Sequence, residues 1–376
     1  MNEKQKLRVG IVGLQPGRSW AAVAHIPALH SLDDKYEIAG VANSNLKSAR
    51  AAAEACGIPR AFASVQEMAD SPDVDIITVT VKVPGHLNVL RTALQAGKHV
   101  YCEWPLGRDL AEARELAALA EKNGVRAVIG TQARLSPAVR ELTRLTDAGY
   151  VGKVRSVTVS GWGRIWGDRV ESLASDAYLL KRENGATMFT IPFAHTLAAI
   201  QEVLGDIVNV SAILETRIPQ VYVPETGQYV AMDAADQILV SGHLAGGVPF
   251  SMHYRGGEPR GTEGFTWDIH GSEGDLRVTG ETGHTQIVPL SIFGARRDNR
   301  TLEPLSVHDD GDGTDDLVRG NVARIYRRLA ADLNNGTRSA PDFEDALKLH
   351  ILLDTIVRAS DTGERLPVPV SNRRLP

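Results

Sequence analysis

The chain has 376 residues and a mass of 40.6 kDa, more than one hydrophobic core usually organises, so we expect two domains. Its 43% hydrophobic and 23% charged residues are typical of globular proteins, and its net charge of −5 argues against nucleic acid or an anionic membrane as the main partner. Two cysteines, no apolar run long enough to span a bilayer and no secretory pattern at the amino terminus together indicate a cytoplasmic protein.

The first third of the chain alternates short apolar runs with helical patterns. The predicted strands are 7–14, 36–42, 75–81, 98–102 and 127–130, and the predicted helices are 19–31, 46–56, 86–96 and 110–123. Because the connections are short, this alternation predicts a doubly wound parallel sheet of the Rossmann type.

The pattern changes after about residue 132. Predicted helices at 136–148, 321–334 and 344–360 accompany strands at 152–162, 208–216, 236–244, 248–254, 266–270, 275–279 and 285–288. Such a series of strands predicts an α+β domain with a large, mostly antiparallel sheet. We therefore expect a dinucleotide-binding domain at 1–132 and a substrate and oligomerisation domain at 133–376, with the helix near 344–360 packing back on the first domain.

The acidic segment 302–316 resembles a calcium-binding loop only superficially. It contains Asp310, Asp312 and Asp315, but the glycine and the closing glutamate of such a loop are out of place. The histidines and the two cysteines show no ligand spacing, so we predict no metal site.

Three glycines, Gly10, Gly13 and Gly17, lie where the first predicted strand passes into the first helix. A turn of this kind lets the backbone approach a pyrophosphate and directs helix N–H groups at its charge. The spacing departs from G-x-G-x-x-G, and glycines at such a turn also serve turn geometry alone. Its position in the first βαβ unit favours a dinucleotide site, with Arg18 either near a phosphate or simply solvated.

The second predicted strand ends in Asn43 and Ser44 rather than in an acid. An acid there binds the ribose hydroxyls of NAD and would repel a 2′-phosphate. Lys47 and Arg50 follow and would attract one, so the sequence favours NADP weakly over NAD. The alternative is that both cations only form the solvated face of a helix.

Several motifs together resemble one known family. These are the G-I-V-G start, the segment beginning at His25, the Glu103-Trp104-Pro105 run and His195. They are similar to those of the Gfo/Idh/MocA oxidoreductases, the glucose–fructose oxidoreductase and inositol dehydrogenase family. The details are most similar to the branch containing the fungal galactose-pathway repressor, and the likeness covers nearly the whole chain.

This resemblance implies a coenzyme, NAD or NADP, and a sugar-type ligand. The residues expected to contact the coenzyme are Gly13, Leu14, Gly17, Arg18, Ser19, Trp20, Asn43, Ser44, Lys47, Lys82, His86, Glu103, Trp104 and Gln132. The residues expected to contact the ligand are Arg134, Trp162, Trp166 and His195. For the two tryptophans, ordinary core packing is an equal alternative. The resemblance also implies a cis peptide bond between Trp104 and Pro105.

Only part of the catalytic residues that the family resemblance implies is present in this sequence. The family's E-K-P lysine corresponds to Trp104, and the aspartate of its D-x-G-x-H segment corresponds to Ile191, so only His195 remains. An indole cannot exchange a proton near neutral pH, and isoleucine cannot orient an imidazole.

Two hypotheses follow. In the first, the protein is an NAD(P)-dependent oxidoreductase acting on a sugar or polyol. His195 would be its proton shuttle, and Tyr178, Lys181 or Lys82 would supply the missing groups. In the second, it is a non-catalytic NAD(P)-binding sensor that presents a surface to a regulatory partner. We also expect a homodimer or higher homo-oligomer formed through the open face of the second sheet, because one face of such a sheet needs a cover.

Overall fold

The computed structural model describes residues 6–261, 263–308 and 316–369. They form two compact units, made of the described parts of Met1–Gln132 with Gly313–Leu347 and of Ala133–Asp312 with Lys348–Pro376. Asp310, Asp312 and Asp315 lie outside the described residues. No described helix combines the length and the apolar character needed to cross a membrane.

The first unit is built on a parallel sheet of six strands with helices between them. The strands are β1 (Leu7–Val12), β2 (Tyr36–Ala42), β3 (Ala61–Phe62), β4 (Ile76–Val79), β5 (His99–Glu103) and β6 (Ala127–Gly130). The helices are α1 (Ile26–His30), α2 (Leu46–Cys56), α3 (Val65–Asp70), α4 (His86–Gln95) and α5 (Leu110–Lys122). The strand order β3-β2-β1-β4-β5-β6 is that of the Rossmann fold, and it confirms the predicted architecture.

The first helical segment begins with a π-helical turn, Ala21–His25, before α1. Pro27 has no N–H group, and its ring would clash in a regular α-helix with the carbonyl of Val23, four residues earlier. A wider turn relieves that conflict, and π turns often occur at functional sites. The predicted helix 19–31 is therefore present, but its first turn is of a different type.

The second unit contains a nine-stranded sheet. Its first elements are α6 (Pro137–Asp147), β7 (Val154–Gly163), α7 (Leu173–Asp176) and, after a π-helical turn Phe189–Phe193, α8 (Ala194–Leu204). The strands that follow are β8 (Ile207–Glu215), β9 (Gln220–Val223), β10 (Gln228–Ala231), β11 (Gln237–Leu244), β12 (Pro249–Gly256), β13 (Phe265–Gly271), β14 (Gly274–Gly280), β15 (Leu290–Arg296) and β16 (Glu303–Leu305). Short 3₁₀ turns at 177–180 and 182–184 connect α7 to the π turn.

The chain closes with α9 (Leu317–Asn335), α10 (Phe343–Thr362) and β17 (Leu366–Pro367). The sheet order of the second unit is β16-β15-β14-β13-β7-β12-β11-β8-β17, while β9 and β10 form a separate hairpin. Only the β7–β12 pair is parallel among the described pairs of this large sheet. The predicted α+β domain with a mostly antiparallel sheet is therefore confirmed.

One predicted strand is wrong, and the long helix α8, like the short helices α3 and α7, was not predicted. Residues 285–288 form a turn in which Ile287 N–H donates to the carbonyl of His284 at 2.9 Å, and the strand begins only at Leu290. Helix α8 is apolar on nearly all sides because it is almost entirely buried. It therefore lacks the one-sided pattern by which helices are recognised in a sequence.

Candidate functional site

The glycine turn after β1 requires glycine for two separate reasons. Gly13 has φ +101°, and a Cβ there would lie 2.8 Å from the Val81 side chain and 2.9 Å from its backbone nitrogen. Gly17 has φ +71° with open space around it, so only its left-handed backbone calls for glycine. The chain thus passes very close to the end of β4 at Gly13 and turns outward at Gly17.

The Asn43 side chain holds this turn against the end of β2. Its Oδ1 accepts the Leu14 N–H at 2.9 Å, and its Nδ2 donates to the Leu14 carbonyl at 2.9 Å and to the Ser48 carbonyl at 3.2 Å. The amide therefore satisfies the backbone of the turn on both sides. Asn43 shapes the predicted coenzyme site by fixing the backbone at Leu14.

Ser19 and Trp20 complete the turn. The Ser19 hydroxyl donates to the Gln15 carbonyl and accepts the Gln15 N–H, both at 2.9 Å, which closes a compact loop. Arg18 is exposed at the tip of this loop. The Trp20 Nε1 atom is buried and donates to no atom of the described residues, so an acceptor from outside the chain would satisfy it.

Two exposed side chains, Ser44 and Lys47, follow β2. Asn45 between them caps α2, since its Oδ1 accepts the Ser48 N–H at 2.9 Å. The cap fixes the first turn of α2 beside the glycine turn. A hydroxyl and an ammonium are therefore presented to solvent at the carboxyl edge of the sheet, where open α/β sheets bind ligands.

His86 holds the segment after β5. Its two ring nitrogens lie 2.9 Å from the carbonyl oxygens of Val81 and Pro105. Burial lowers the pKa of His86, and the two carbonyls act in the opposite direction. The peptide bond between Trp104 and Pro105 is cis, as predicted, and Trp104 is only 6% exposed. Lys82 is exposed at the start of the short 3₁₀ turn 83–85.

Glu103, just before Trp104, is held by a chain of buried hydrogen bonds. Its carboxylate accepts two bonds from Gln132 Nε2, at 2.9 and 2.7 Å, and one contact from His25 Nε2 at 2.8 Å. His25 Nδ1 lies 2.9 Å from the Tyr326 hydroxyl. A residue of α9 thereby helps to position the predicted coenzyme segment within the first unit.

In the second unit, His195 is the second residue of α8 and only 3% exposed. Its Nδ1 atom is buried and has no hydrogen-bond partner among the described residues. Ile191, in the preceding π turn, has an aliphatic side chain and cannot supply one. The imidazole therefore lacks the carboxylate that would orient it and stabilise its protonated form.

The electrostatic surroundings of His195 also oppose protonation. Burial, and to a smaller extent the neighbouring His284, lowers the pKa of His195 to about 3. Protonating a group of that pKa at pH 7 costs about 5 kcal/mol. A general base works best when its pKa is near the working pH, so this imidazole is a neutral hydrogen-bonding group and a poor proton acceptor.

Three other predicted residues of the second unit lie in segments that precede α8 in the chain. Arg134 forms an ion pair with a single carboxylate oxygen of Glu202 on α8, Oε2, which lies 2.8 Å from Nε and 2.7 Å from Nη2. Burial raises the pKa of the Tyr178 hydroxyl, so this phenol stays protonated. Lys181 is half-buried between the two 3₁₀ turns.

Trp162 lies on β7 with its side chain on the outer face of the sheet. The neighbouring Gly161 has no room for a Cβ, which would come within 2.4 Å of the Tyr254 ring. Side chains alternate along a strand, so Trp162 points to the opposite face. There the Arg255 guanidinium lies 5.5 Å from the Trp162 ring.

Trp166 is buried, with its Nε1 donating to the Leu179 carbonyl at 2.8 Å. Of the two alternatives that the sequence left open for Trp166, the structure supports core packing, because its N–H has a partner inside the unit. Its ring stacks on His284, with centroids 6.1 Å apart and planes 14° apart. His284 has no motif or spacing in the sequence, and only the folded unit brings it to this position.

Two family models match successive parts of the chain. The NAD-binding Rossmann fold of the Gfo/Idh/MocA oxidoreductase family matches residues 7–131, and the C-terminal domain of Gal80p matches residues 137–280. The chain therefore combines a Rossmann domain of the Gfo/Idh/MocA oxidoreductase family with a second domain of the Gal80p type. This confirms the resemblance identified in the sequence.

Three proteins illustrate this relationship. The galactose/lactose metabolism regulatory protein GAL80 of Kluyveromyces lactis is 27% identical over 96% of this chain and 95% of its own. The structure of Gal80p from that organism has a TM-score of 0.88 at 28% identity and covers 98% of this chain and 95% of its own. Dehydrogenase aclE of Aspergillus oryzae is 28% identical over 96% of this chain and 98% of its own. Levoglucosan dehydrogenase in complex with NADH and L-sorbose shares the fold, with a TM-score of 0.83 at 21% identity and coverage of 97% and 100%.

Proposed function

We propose that the glycine turn after β1 binds the diphosphate of a nicotinamide dinucleotide. The observation that carries this proposal is the close backbone approach at Gly13, where a Cβ would lie 2.8 Å from Val81. The Asn43 side chain holds the turn in place by bonding to Leu14 through both amide atoms. The turn itself can then present its backbone to a bound diphosphate. The bound group would supply a hydride acceptor or donor.

The surface beyond β2 favours NADP over NAD. Ser44 and Lys47 are both exposed, and β2 ends without the acid that would repel a 2′-phosphate. In a fluorescence titration with NADPH and NADH, we expect tighter binding of NADPH. Lys47→Glu should weaken NADPH binding about tenfold and leave NADH binding within twofold, whereas an equal loss for both coenzymes would contradict the NADP preference.

The first candidate activity is NAD(P)-dependent oxidation or reduction of a sugar, polyol or sugar derivative in the cytoplasm. Its support is the family membership, together with the 28% identity to dehydrogenase aclE over 98% of that protein. The sugar class is suggested by levoglucosan dehydrogenase, which binds L-sorbose on the same fold. In this scheme the neutral His195 accepts a hydrogen bond from the substrate hydroxyl, and Tyr178 and Lys181 would supply the missing proton-transferring groups.

The second candidate is a non-catalytic NAD(P)-binding sensor. One observation favours it: His195 Nδ1 is buried and has no partner among the described residues. Trp104, in place of the lysine, is likewise unable to move a proton. The relative GAL80 of Kluyveromyces lactis is named a regulatory protein, so the same scaffold serves regulation there.

One experiment separates the two candidates. Purified protein is incubated with NAD or NADP and a panel of aldoses, polyols and glycosides, and the absorbance of the reduced nicotinamide is followed. The enzyme hypothesis is supported by turnover that His195→Ala abolishes and that the control variant His243→Ala retains. His243 lies on β11. Tight coenzyme binding without turnover on any compound supports the sensor. Absence of thermal stabilisation by every dinucleotide would refute both candidates.

We propose further that the outer face of the large sheet binds a second copy of the chain. Ile213 and Leu239 are paired across β8 and β11 and are 51% and 37% exposed. The row beside them consists of small hydroxyl residues, namely Ser211, Ser241, Ser251 and Thr158. Light scattering should give a dimer or larger species, and Leu239→Lys should dissociate it. A monomeric wild-type protein would contradict this assembly.

A further inference from the structure

Two histidines of the second unit are brought together by a hydrogen-bonded joint. The Thr196 hydroxyl lies 2.6 Å from the Tyr254 hydroxyl and 3.2 Å from the Thr285 hydroxyl. The Tyr254 hydroxyl also donates to the Gly283 carbonyl at 3.0 Å. His195 directly precedes Thr196, and His284 lies between Gly283 and Thr285. The joint therefore ties the start of α8 to the loop after β14 at the positions that carry the two imidazoles.

Both imidazoles are buried yet retain hydrogen-bonding capacity. His195 is 3% exposed and His284 is 8% exposed. His195 Nδ1 has no partner among the described residues. An unsatisfied buried polar atom is destabilising, and buried polar groups without protein partners commonly mark a water or ligand position.

The His284 ring is held in place from one side. It stacks on Trp166, with centroids 6.1 Å apart, and Trp166 is itself fixed by its bond to the Leu179 carbonyl. Stacking occupies a ring face and leaves the ring edge, with both nitrogens, for hydrogen bonding. The nitrogens of His284 are therefore held in a fixed orientation close to His195 before any ligand binds.

Both rings are neutral at physiological pH. Burial lowers the pKa of His195 to about 3 and that of His284 to about 4, with Arg164 contributing to the second shift. A neutral imidazole offers one donor and one acceptor. A hydroxyl group also donates one hydrogen bond and accepts others, so a pair of such rings complements an uncharged polyhydroxylated molecule. Neither ring compensates the charge of a carboxylate.

We propose that His284 and His195 form a paired-imidazole subsite that binds hydroxyl groups of an uncharged sugar or polyol. This rests on the proposed function for the ligand class, and it assigns to His284 a binding role that no motif indicates. The subsite discriminates against sugar acids, because two neutral rings supply no compensating charge for a buried carboxylate and the neighbouring Arg164 already pairs with Glu258 at 3.1 Å.

The test uses the full chain and separates hydrogen bonding from packing. His284→Phe keeps an aromatic ring against Trp166 and removes both nitrogens, whereas His284→Asn restores a donor and an acceptor. His243→Phe on β11 is the matched control. Binding of D-galactose, L-sorbose, levoglucosan and galacturonate is measured by saturation-transfer NMR, with and without NADH, and coenzyme affinity is measured separately. Thermal melting verifies that each variant folds.

We expect at least one neutral probe to bind wild-type protein more tightly than galacturonate. His284→Phe should weaken that binding at least tenfold, His284→Asn less, and His243→Phe by under twofold, with coenzyme affinity unchanged throughout. Unaltered sugar binding in both His284 variants overturns the subsite. Tighter binding of galacturonate, or no binding of any neutral probe, also overturns it. Because coenzyme binding is measured separately, failure of the subsite leaves the dinucleotide proposal standing, and loss of coenzyme binding alone counts only against the latter.

Discussion

The buried neutral state of His195 makes a quantitative prediction about acid stability. Its folded pKa is about 3, whereas the unfolded chain has the ordinary value of about 6.5. Above pH 6.5 the imidazole is mainly unprotonated in both the folded and the unfolded state, so His195 contributes little pH dependence to the free energy of unfolding. As the pH falls below 6.5, the unfolded chain takes up a proton that the folded unit excludes, and the free energy of unfolding decreases until the pH reaches about 3.

The size of the effect follows from these two values. At pH 5, linkage gives a loss of about 2 kcal/mol relative to pH 7 from His195 alone. His284, with a folded pKa of about 4, adds another loss of about 2 kcal/mol at pH 5. Other titrating groups contribute as well, but they are common to wild type and variant and cancel in a comparison of the two.

The perturbation is His195→Phe, which removes the titrating group and keeps a flat ring. Urea unfolding at pH 7 and at pH 5, followed by circular dichroism, gives the free energy of unfolding of each protein. The pH 7 to pH 5 loss should be about 2 kcal/mol smaller in the variant, and His270→Phe, an exposed histidine on β13, serves as the control. An identical loss in wild type and His195→Phe would show that His195 can be protonated in the folded protein. It would then no longer be a neutral group and a poor proton acceptor.

Three further outcomes are expected. Gly13→Ala should lower the free energy of unfolding by at least about 2 kcal/mol in a urea titration and weaken coenzyme binding, because its backbone is left-handed and its Cβ has no space. Ile191→Asp should raise the pKa of His195, read by NMR titration, by roughly 1–3, and should increase any turnover that is limited by proton removal. Tyr326→Phe should cost about 1–2 kcal/mol in stability, because the hydroxyl that meets His25 Nδ1 is lost within a buried cluster.

Each of these outcomes has a control. Gly17→Ala, where the space is open, should be milder than Gly13→Ala, and equal effects would contradict the steric explanation. Ile191→Asn has a similar shape without charge, so an equal rise in the pKa of His195 would show that the carboxylate is not the cause. If the Tyr326→Phe variant is as stable as wild type, the Tyr326 hydroxyl of the wild-type protein does not stabilise the position of His25.

Local patterns were enough to predict most of the first unit. Residues buried on both faces make strands such as Ile76–Val79 continuous apolar runs, and caps such as Asn45 define where helices begin. Gly13 could be identified because turn conformations are encoded by neighbouring residues. The cis bond before Pro105 followed from the family resemblance.

Local sequence patterns do not reveal elements whose periodicity is hidden by burial. Helix α8 is buried on nearly all sides, and the segment 285–288 has a strand-like composition but ends in a turn around His284. The sequence left the choice between ligand contact and core packing open for Trp166, and the structure shows its N–H donating to the Leu179 carbonyl inside the unit. The burial of α8 and of Trp166 depends on packing partners that only folding supplies.

The amino-acid sequence alone predicted the alternation of strands and helices in the first unit and the glycine turn, because each depends on near neighbours in the chain. The replacement of a lysine by Trp104 and of an aspartate by Ile191 is what the family resemblance implies. Only the tertiary structure decided what the remaining polar groups do. It clamps Leu14 with Asn43, leaves His195 Nδ1 without a partner among the described residues, and brings His284 to the same joint. Hydrogen bonds and desolvation act between groups that folding brings close, and sequence separation carries no information about that proximity.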